Sequence, residues 1–224
     1  MTEPDDEEAT GEEQVANSPR ERKLELTVTA LLAFSALMSA LCAYQASRFG
    51  GDQSFSFAAA QSFQVESTRA DNRAGQLTQI DIGTFQSWVD AVAEGNEPLA
   101  DFYRVRFRSE FTPAFDAWLA TKPLQTPDAP KTPFEMPEYR LEQADRAASM
   151  TERATQSLEQ GNREGETSDN YVLTVVLFAA ALFMLGIQSR IGIFELRAAL
   201  VGVAAFIVVG TTLWVFTLPS TWPW

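Results

Sequence analysis

Three long stretches without a single charged side chain constrain this chain more than any other feature. Residues 26–46, 171–189 and 198–218 each hold about 19–21 residues. At about 1.5 Å per residue, a helix of that length crosses a hydrocarbon core about 30 Å thick. A helix that long on a water-facing protein carries charge along one face. The pattern predicts an all-α membrane protein with transmembrane helices over 24–46, 171–189 and 198–218. What remains is an acidic tail (1–23), a large extramembrane helical domain (47–170), a turn (190–197) and a short tail (219–224).

The first stretch does not fit a cleaved signal peptide. It is longer than a usual apolar signal core, the segment before it is acidic, and no small-x-small site follows it. Leu41 before Cys42 also departs from a lipoprotein signal, so an uncleaved anchor is expected. Orientation follows from Arg20, Arg22 and Lys23 before the first span and Arg190 and Arg197 between the second and third. The positive-inside rule then puts the N-terminus and the 190–197 turn in the cytoplasm, and residues 47–170 outside a cell (inner or plasma) membrane. Trp214, Trp222 and Trp224 suit an interfacial aromatic belt.

The chain has one cysteine and no histidine. Ser-His-Asp and Cys-His catalysis are excluded, and the commonest zinc ligand is missing. Cys42 lies within the first span, where no intrachain disulfide can form. A net charge of −13 argues against nucleic acid, whose phosphates need a basic face. No phosphate loop, calcium loop or nucleophile elbow occurs. No cofactor, no metal and no enzymatic activity are expected.

Residues 47–170 are expected to be helical at both ends. Gly50-Gly51 predicts a break after the first span. Leu77, Ile80, Thr84, Trp88 and Ala91 recur at helical spacing, and Gly95-Asn96 predicts a stop. A second long helix is expected from Pro137, with Leu141, Ala144, Ala148, Thr151, Thr155 and Leu158 as its inner stripe, Gly161 to Gly165 as an interruption and Ser168 as a cap for the second span. Both heptad patterns are imperfect, which favours a packed antiparallel hairpin over a long two-stranded coiled coil. At its tip, Asp101 to Arg108 predicts a helix on which Asp101 pairs with Arg104. Thr112-Pro113 predicts the start of a short helix. Six of the eleven prolines fall within residues 113–137, and the period of Pro127, Pro130 and Pro133 predicts an extended strap. Phe102, Tyr103, Phe107, Phe111, Phe115, Trp118 and Phe134 form the expected tip core. If exposed, Tyr103, Phe107, Phe111 and Trp118 become partner contacts.

The spans contain no ionisable side chain of the kind that lines ion or proton paths. Ala33, Ala36, Ala40 and Ala43 (with Ser47) make a small-residue stripe on the first, and Gly202 sits in a shorter one on the third. Such stripes let helices approach closely in lipid, within one chain or between copies. The segments Phe115-Asp116-Ala117-Trp118-Leu119-Ala120-Thr121 and Ser168-Asp169-Asn170-Tyr171-Val172-Leu173, within an order of one span, a long helical insert and a closing pair of spans, resemble small bacterial membrane proteins of the domain-of-unknown-function type. The resemblance covers nearly the whole chain and implies no catalytic or binding residues. The expected role is structural: an outer domain that binds a partner or holds an assembly. The alternative is a subunit of an oligomeric channel or gating complex. Expected partners are the lipid bilayer and a second copy or another membrane protein.

Overall fold

A computed structural model describes residues 19–220 apart from Leu124. Most of the acidic tail, together with Trp222 and Trp224, lies outside the described residues. The described chain is helical, with no strand: α1 (Pro19–Ala93), α2 (Glu97–Arg104), α3 (Thr112–Ala120), α4 (Glu142–Ile187) and α5 (Phe194–Val215), plus single 3-10 turns at Pro133–Glu135 and Gln188–Arg190. Three helices, α1, α4 and α5, are long and apolar enough to cross a membrane. Several expected interruptions do not occur. Gly50-Gly51 and Gly161 to Gly165 are helical; a glycine within a helix costs only about 1 kcal/mol against alanine, which long flanking helices outweigh. Ser168 is no cap; its hydroxyl donates to the Ala46 carbonyl at 2.9 Å. Helix α4 begins at Glu142 and not at Pro137.

Contacts divide the chain into two compact units: residues 1–50 with 165–224, and residues 51–164. In the first unit the three apolar helices meet on Val28, Cys42 and Ala46 of α1, Tyr171, Phe178, Ala181 and Leu185 of α4, and Val201, Ala204 and Val208 of α5. The residues of each set lie 3, 4, 7 or 14 apart, close to whole numbers of helical turns, so each helix commits one stripe to its neighbours. Tyr171 stacks on Phe49 (ring centroids 5.9 Å apart) and donates its hydroxyl to the Pro219 carbonyl at 2.9 Å. The expected alanine stripe is elsewhere: Ala33, Ala36, Ala40 and Ala43 are all exposed, as is Gly202. Packing within one chain uses the opposite side of α1, where larger Val28, Leu31, Leu32 and Met38 fill space that alanines leave empty.

In the second unit α1 and α4 run antiparallel. Ser56 donates to Glu164 (2.7 Å), Ser67 donates to the Ala147 carbonyl (2.9 Å), and Glu66 pairs with Arg146. The inner stripe of α1 runs Ser56, Ala60, Phe63, Ser67, Ala70, Ala74, Leu77, Asp81, Thr84, Trp88, Ala91, all buried or half-buried at strict 3,4 spacing. On α4 the matching stripe is Ala147, Met150, Ala154, Ser157, Gly161. Ile80 and the expected stripe through Ala144, Ala148, Thr151, Thr155 and Leu158 are exposed. On α1 the expected positions Leu77, Thr84, Trp88 and Ala91 do face inward, and Leu141 is buried just before α4; on α4 itself the seam is another stripe of small and polar residues, which hydrophobicity alone does not distinguish from its neighbour. Its closeness shows at Gly161, where an added Cβ would stand 2.6 Å from the Phe57 ring.

Candidate functional site

Helix α1 stops where expected. Gly95 takes φ +70°, Asn96 N–H returns to the Ala91 carbonyl (2.9 Å), and the Asn96 side chain then caps α2 by accepting from Leu99 N–H (3.2 Å). Helix α2 ends at Arg104, four residues short of the helix expected from the sequence. The following turn carries Phe107 and Phe111 inward, and α3 adds Phe115 and Trp118. With Phe85 of α1 they form a closed aromatic core, joined at its edge by Trp88, Phe134, Met136 and Tyr139. The rings meet as aromatic quadrupoles prefer, edge-on or offset. Trp88 meets Phe115 at 4.9 Å and 82°, Phe85 meets Trp118 at 5.4 Å and 86°, and Phe111 stacks on Phe134 at 5.2 Å and 18°.

Three of the four aromatic positions singled out as contacts, Phe107, Phe111 and Trp118, are therefore inside this core, and Tyr103 lies half-buried beside Phe102 (5.7 Å). The solvent-facing aromatic is Phe102, capped by the Arg106 guanidinium 3.5 Å from its ring centre. The proline segment is not a polyproline helix. Backbone turns close at Lys122–Thr126 and Thr126–Ala129, and a 3-10 turn follows. It does lie across the aromatic cluster: Trp118 donates its indole N–H to the Pro130 carbonyl at 2.8 Å.

The arginines also depart from expectation. Because α2 ends early, Arg104 and Arg108 share no helix face. Arg104 pairs with Asp116 (3.1 Å) instead of Asp101. Arg108 reaches inward to Asp81, whose side chain is fully buried, at 2.8 Å, and also pairs with Glu110. Tyr139 donates its hydroxyl to the same Asp81 oxygen (3.1 Å), while Asp81 Oδ1 is buried without a hydrogen-bond partner among the described residues. Glu110 in turn accepts the Glu142 N–H at the start of α4 (3.1 Å). This network ties α1, the 105–111 turn and α4 together. Burial pushes the Asp81 carboxyl above its ordinary range, and Arg108 and Tyr139 pull against that shift. Burial likewise raises Tyr139. The network orders the unit by joining α1, the 105–111 turn and the start of α4. Sequence reasoning missed both residues; a lone Asp between Ile80 and Ile82 gives no signal that it turns inward.

One groove of this unit, about 710 Å³, lies over α1 and α4 and is lined largely by polar side chains, Gln61, Glu66, Arg69 and Arg146 among them; another, apolar, lies beside the aromatic core. This second groove, of about 500 Å³, is walled by Phe85, Trp88, Val89 and Val92 of α1 and by Trp118 and Leu119 of α3. Val89, Val92 and Leu119 are exposed there. Lys122 and Lys131 stand at its rim with Pro123 and Gln125, and no acidic side chain is among the lining residues. The apolar wall with a few polar groups at one side has the make-up of a binding site. No described cluster of three or more acidic, cysteine or histidine side chains offers a metal site. Compared with known proteins, the chain matches no family model, no curated protein and no solved structure.

Proposed function

We propose that this chain is an integral membrane protein whose work is binding. Its three apolar helices insert in a cell membrane with the N-terminus cytoplasmic, and the unit of residues 51–164 faces outward and holds a partner. The observation that carries this reading is the groove beside Trp88 and Trp118. The aromatic core is already closed by its own rings, yet Val89, Val92 and Leu119 stay exposed next to it. Exposed apolar surface gathered in a concavity, on a unit otherwise rich in charge, is characteristic of a binding surface.

The test is native mass spectrometry of the protein gently extracted from its membrane, wild type against Val92→Glu. A bound mass, protein or small molecule, should accompany the wild type and be lost from the variant. A bare wild type, or identical components in both, would sink the reading. For the orientation, Asp128→Cys should react with a membrane-impermeant maleimide in intact cells; labelling only after lysis reverses it.

A second reading is supported by the exposed stripe of Ala33, Ala36, Ala40 and Ala43 and by exposed Gly202. Small residues left unused within the chain suit packing against a second copy, and an oligomeric channel or gating subunit would be built that way. The same spectra distinguish it, as a homo-oligomer of defined number that survives Val92→Glu.

A further inference from the structure

We propose that the groove beside Trp88 and Trp118 binds a medium-chain acyl carboxylate, its hydrocarbon chain along α1 and its head on Lys122 and Lys131. The proposal rests on the reading of residues 51–164 as a binding unit and names what that unit takes.

Size selects a small molecule over a protein. Ten of the described residues line the groove, against the roughly 20–30 residues a side of a stable protein interface. Its volume of about 500 Å³ falls within the roughly 300–1,000 Å³ of small-molecule sites. The wall residues Phe85, Trp88, Val89 and Val92 occupy two helical turns, about 10 Å along the axis. That length suits a short hydrocarbon body.

Charge selects an anion. Residues 51–164 carry 11 basic and 18 acidic side chains, and only two of the basic ones are lysines. Both lysines stand on this rim, no carboxylate lines the groove, and neither ammonium has an ion-pair partner among the described residues. The backbone that carries them is held. Lys122 follows the end of α3 with φ +52°, the one non-glycine residue with positive φ among those described, its N–H bonded to the Leu119 carbonyl (3.1 Å). Glycine or asparagine is the usual occupant of such a helix-end position. A lysine there opposes the local backbone preference, and such departures cluster at binding sites. Lys131 follows Pro130, whose carbonyl is held by Trp118. The head group is taken as a carboxylate because a single negative charge is enough to engage two lysine point charges, and the groove lining has no arginine to grip a larger anion as a fork.

The test uses the full chain in lipid nanodiscs with a diazirine-tailed decanoate, and the matching decanol as a neutral control. Photolabel should appear on peptides containing Val89, Val92 or Leu119 and be competed by unlabelled decanoate. Lys122→Ala with Lys131→Ala should lower it about tenfold, the size of two exposed charge contacts, whereas Arg140→Ala leaves it unchanged. Lys122→Gly should lower it about threefold while raising the unfolding temperature, a pairing that a purely structural lysine would not give. Label confined to residues 26–46, 171–189 and 198–218, equal labelling by decanol, or indifference to the lysines would each overturn the proposal. If so, and Val92→Glu still strips a bound mass in the native spectra, binding at the groove stands and only the carboxylate falls.

Discussion

The two units bury different kinds of side chain. Among the apolar helices the fully buried positions are Cys42, Phe178, Ala181, Leu185, Ala204 and Val208, with Ser35 and Thr174 as the polar members. In residues 51–164 the tip core is five aromatic rings, and a fully buried carboxylate sits one helical turn from the nearest of them. The difference follows from solvent. On the membrane reading, lipid is as apolar as leucine, so helices gain little by burying bulk and gain most from close, well-fitted contact. In water the transfer of large rings supplies the driving force, and a polar network is affordable where each ring helps to order it. The contrast yields measurements that should separate the units by sign as well as size.

The largest effect belongs to the rings. Phe111 is completely buried and touches Phe85, Phe107, Phe115, Phe134 and Tyr139. Phe111→Ala should cost about 4 kcal/mol, seen as an early denaturation step in the fluorescence of Trp88 and Trp118. Helicity of the apolar helices should survive that step. A single transition for the whole chain would mean that the two units are one cooperative body.

Next comes the network. Asp81→Ala removes the partner of a largely buried arginine and should cost about 3 kcal/mol. Asp81→Asn tests the proton. The folded state holds the Asp81 carboxyl above its ordinary value. Stability from that proton is therefore fully present below the unfolded-state pKa and is lost as pH rises through the folded one. A denaturation series from acid to neutral pH should show this decline in wild type and a flatter profile in Asp81→Asn. Matching slopes would place the proton elsewhere.

Small-to-large changes should reverse the contrast. Ala204 is fully buried between apolar helices, and Ala204→Leu should cost about 2 kcal/mol by overpacking. Ala40 is exposed, so Ala40→Leu should leave a single chain unharmed. If copies pack through the alanine stripe, the same change should dissociate them, which light scattering or native mass spectrometry would show.

The sequence was informative where apolar residues were dense and uninformative where they were sparse. The three apolar helices and the Gly95-Asn96 stop follow from charge-free length and backbone chemistry. The tip aromatics were legible as a group because there are so many within forty residues. The seam was not: Ser67, Ala70, Ala74, Ala147, Ala154 and Gly161 carry the close contact, while Leu158 and Ile80, which look like core, are exposed. Close backbone approach rewards small size, and hydrophobicity does not measure it. The groove was illegible for a related reason. Val89, Val92 and Leu119 are ordinary apolar residues until the fold leaves them uncovered, and Lys122 becomes distinctive only through its φ.

The smallest effect compares two glycines within helices. Gly51 has nothing within 4 Å of where a Cβ would stand. Gly51→Ala should therefore stabilise by about 0.5–1 kcal/mol, through helix propensity and the reduced freedom of the unfolded chain. Gly161 carries the same propensity benefit, but its added Cβ would meet the Phe57 ring at 2.6 Å and Ser56 Cβ at 3.3 Å. Phe57 can swing aside and Ser56 cannot move without the α1 backbone, so Gly161→Ala should lose the benefit and fall at or below wild type. Measured side by side by thermal denaturation, the pair isolates close approach from backbone entropy. If both alanines stabilise equally, the seam at Gly161 is looser than its geometry implies. If Gly51→Ala destabilises, position 51 needs the hinge that a glycine pair first suggested, and the continuous α1 bends there in solution.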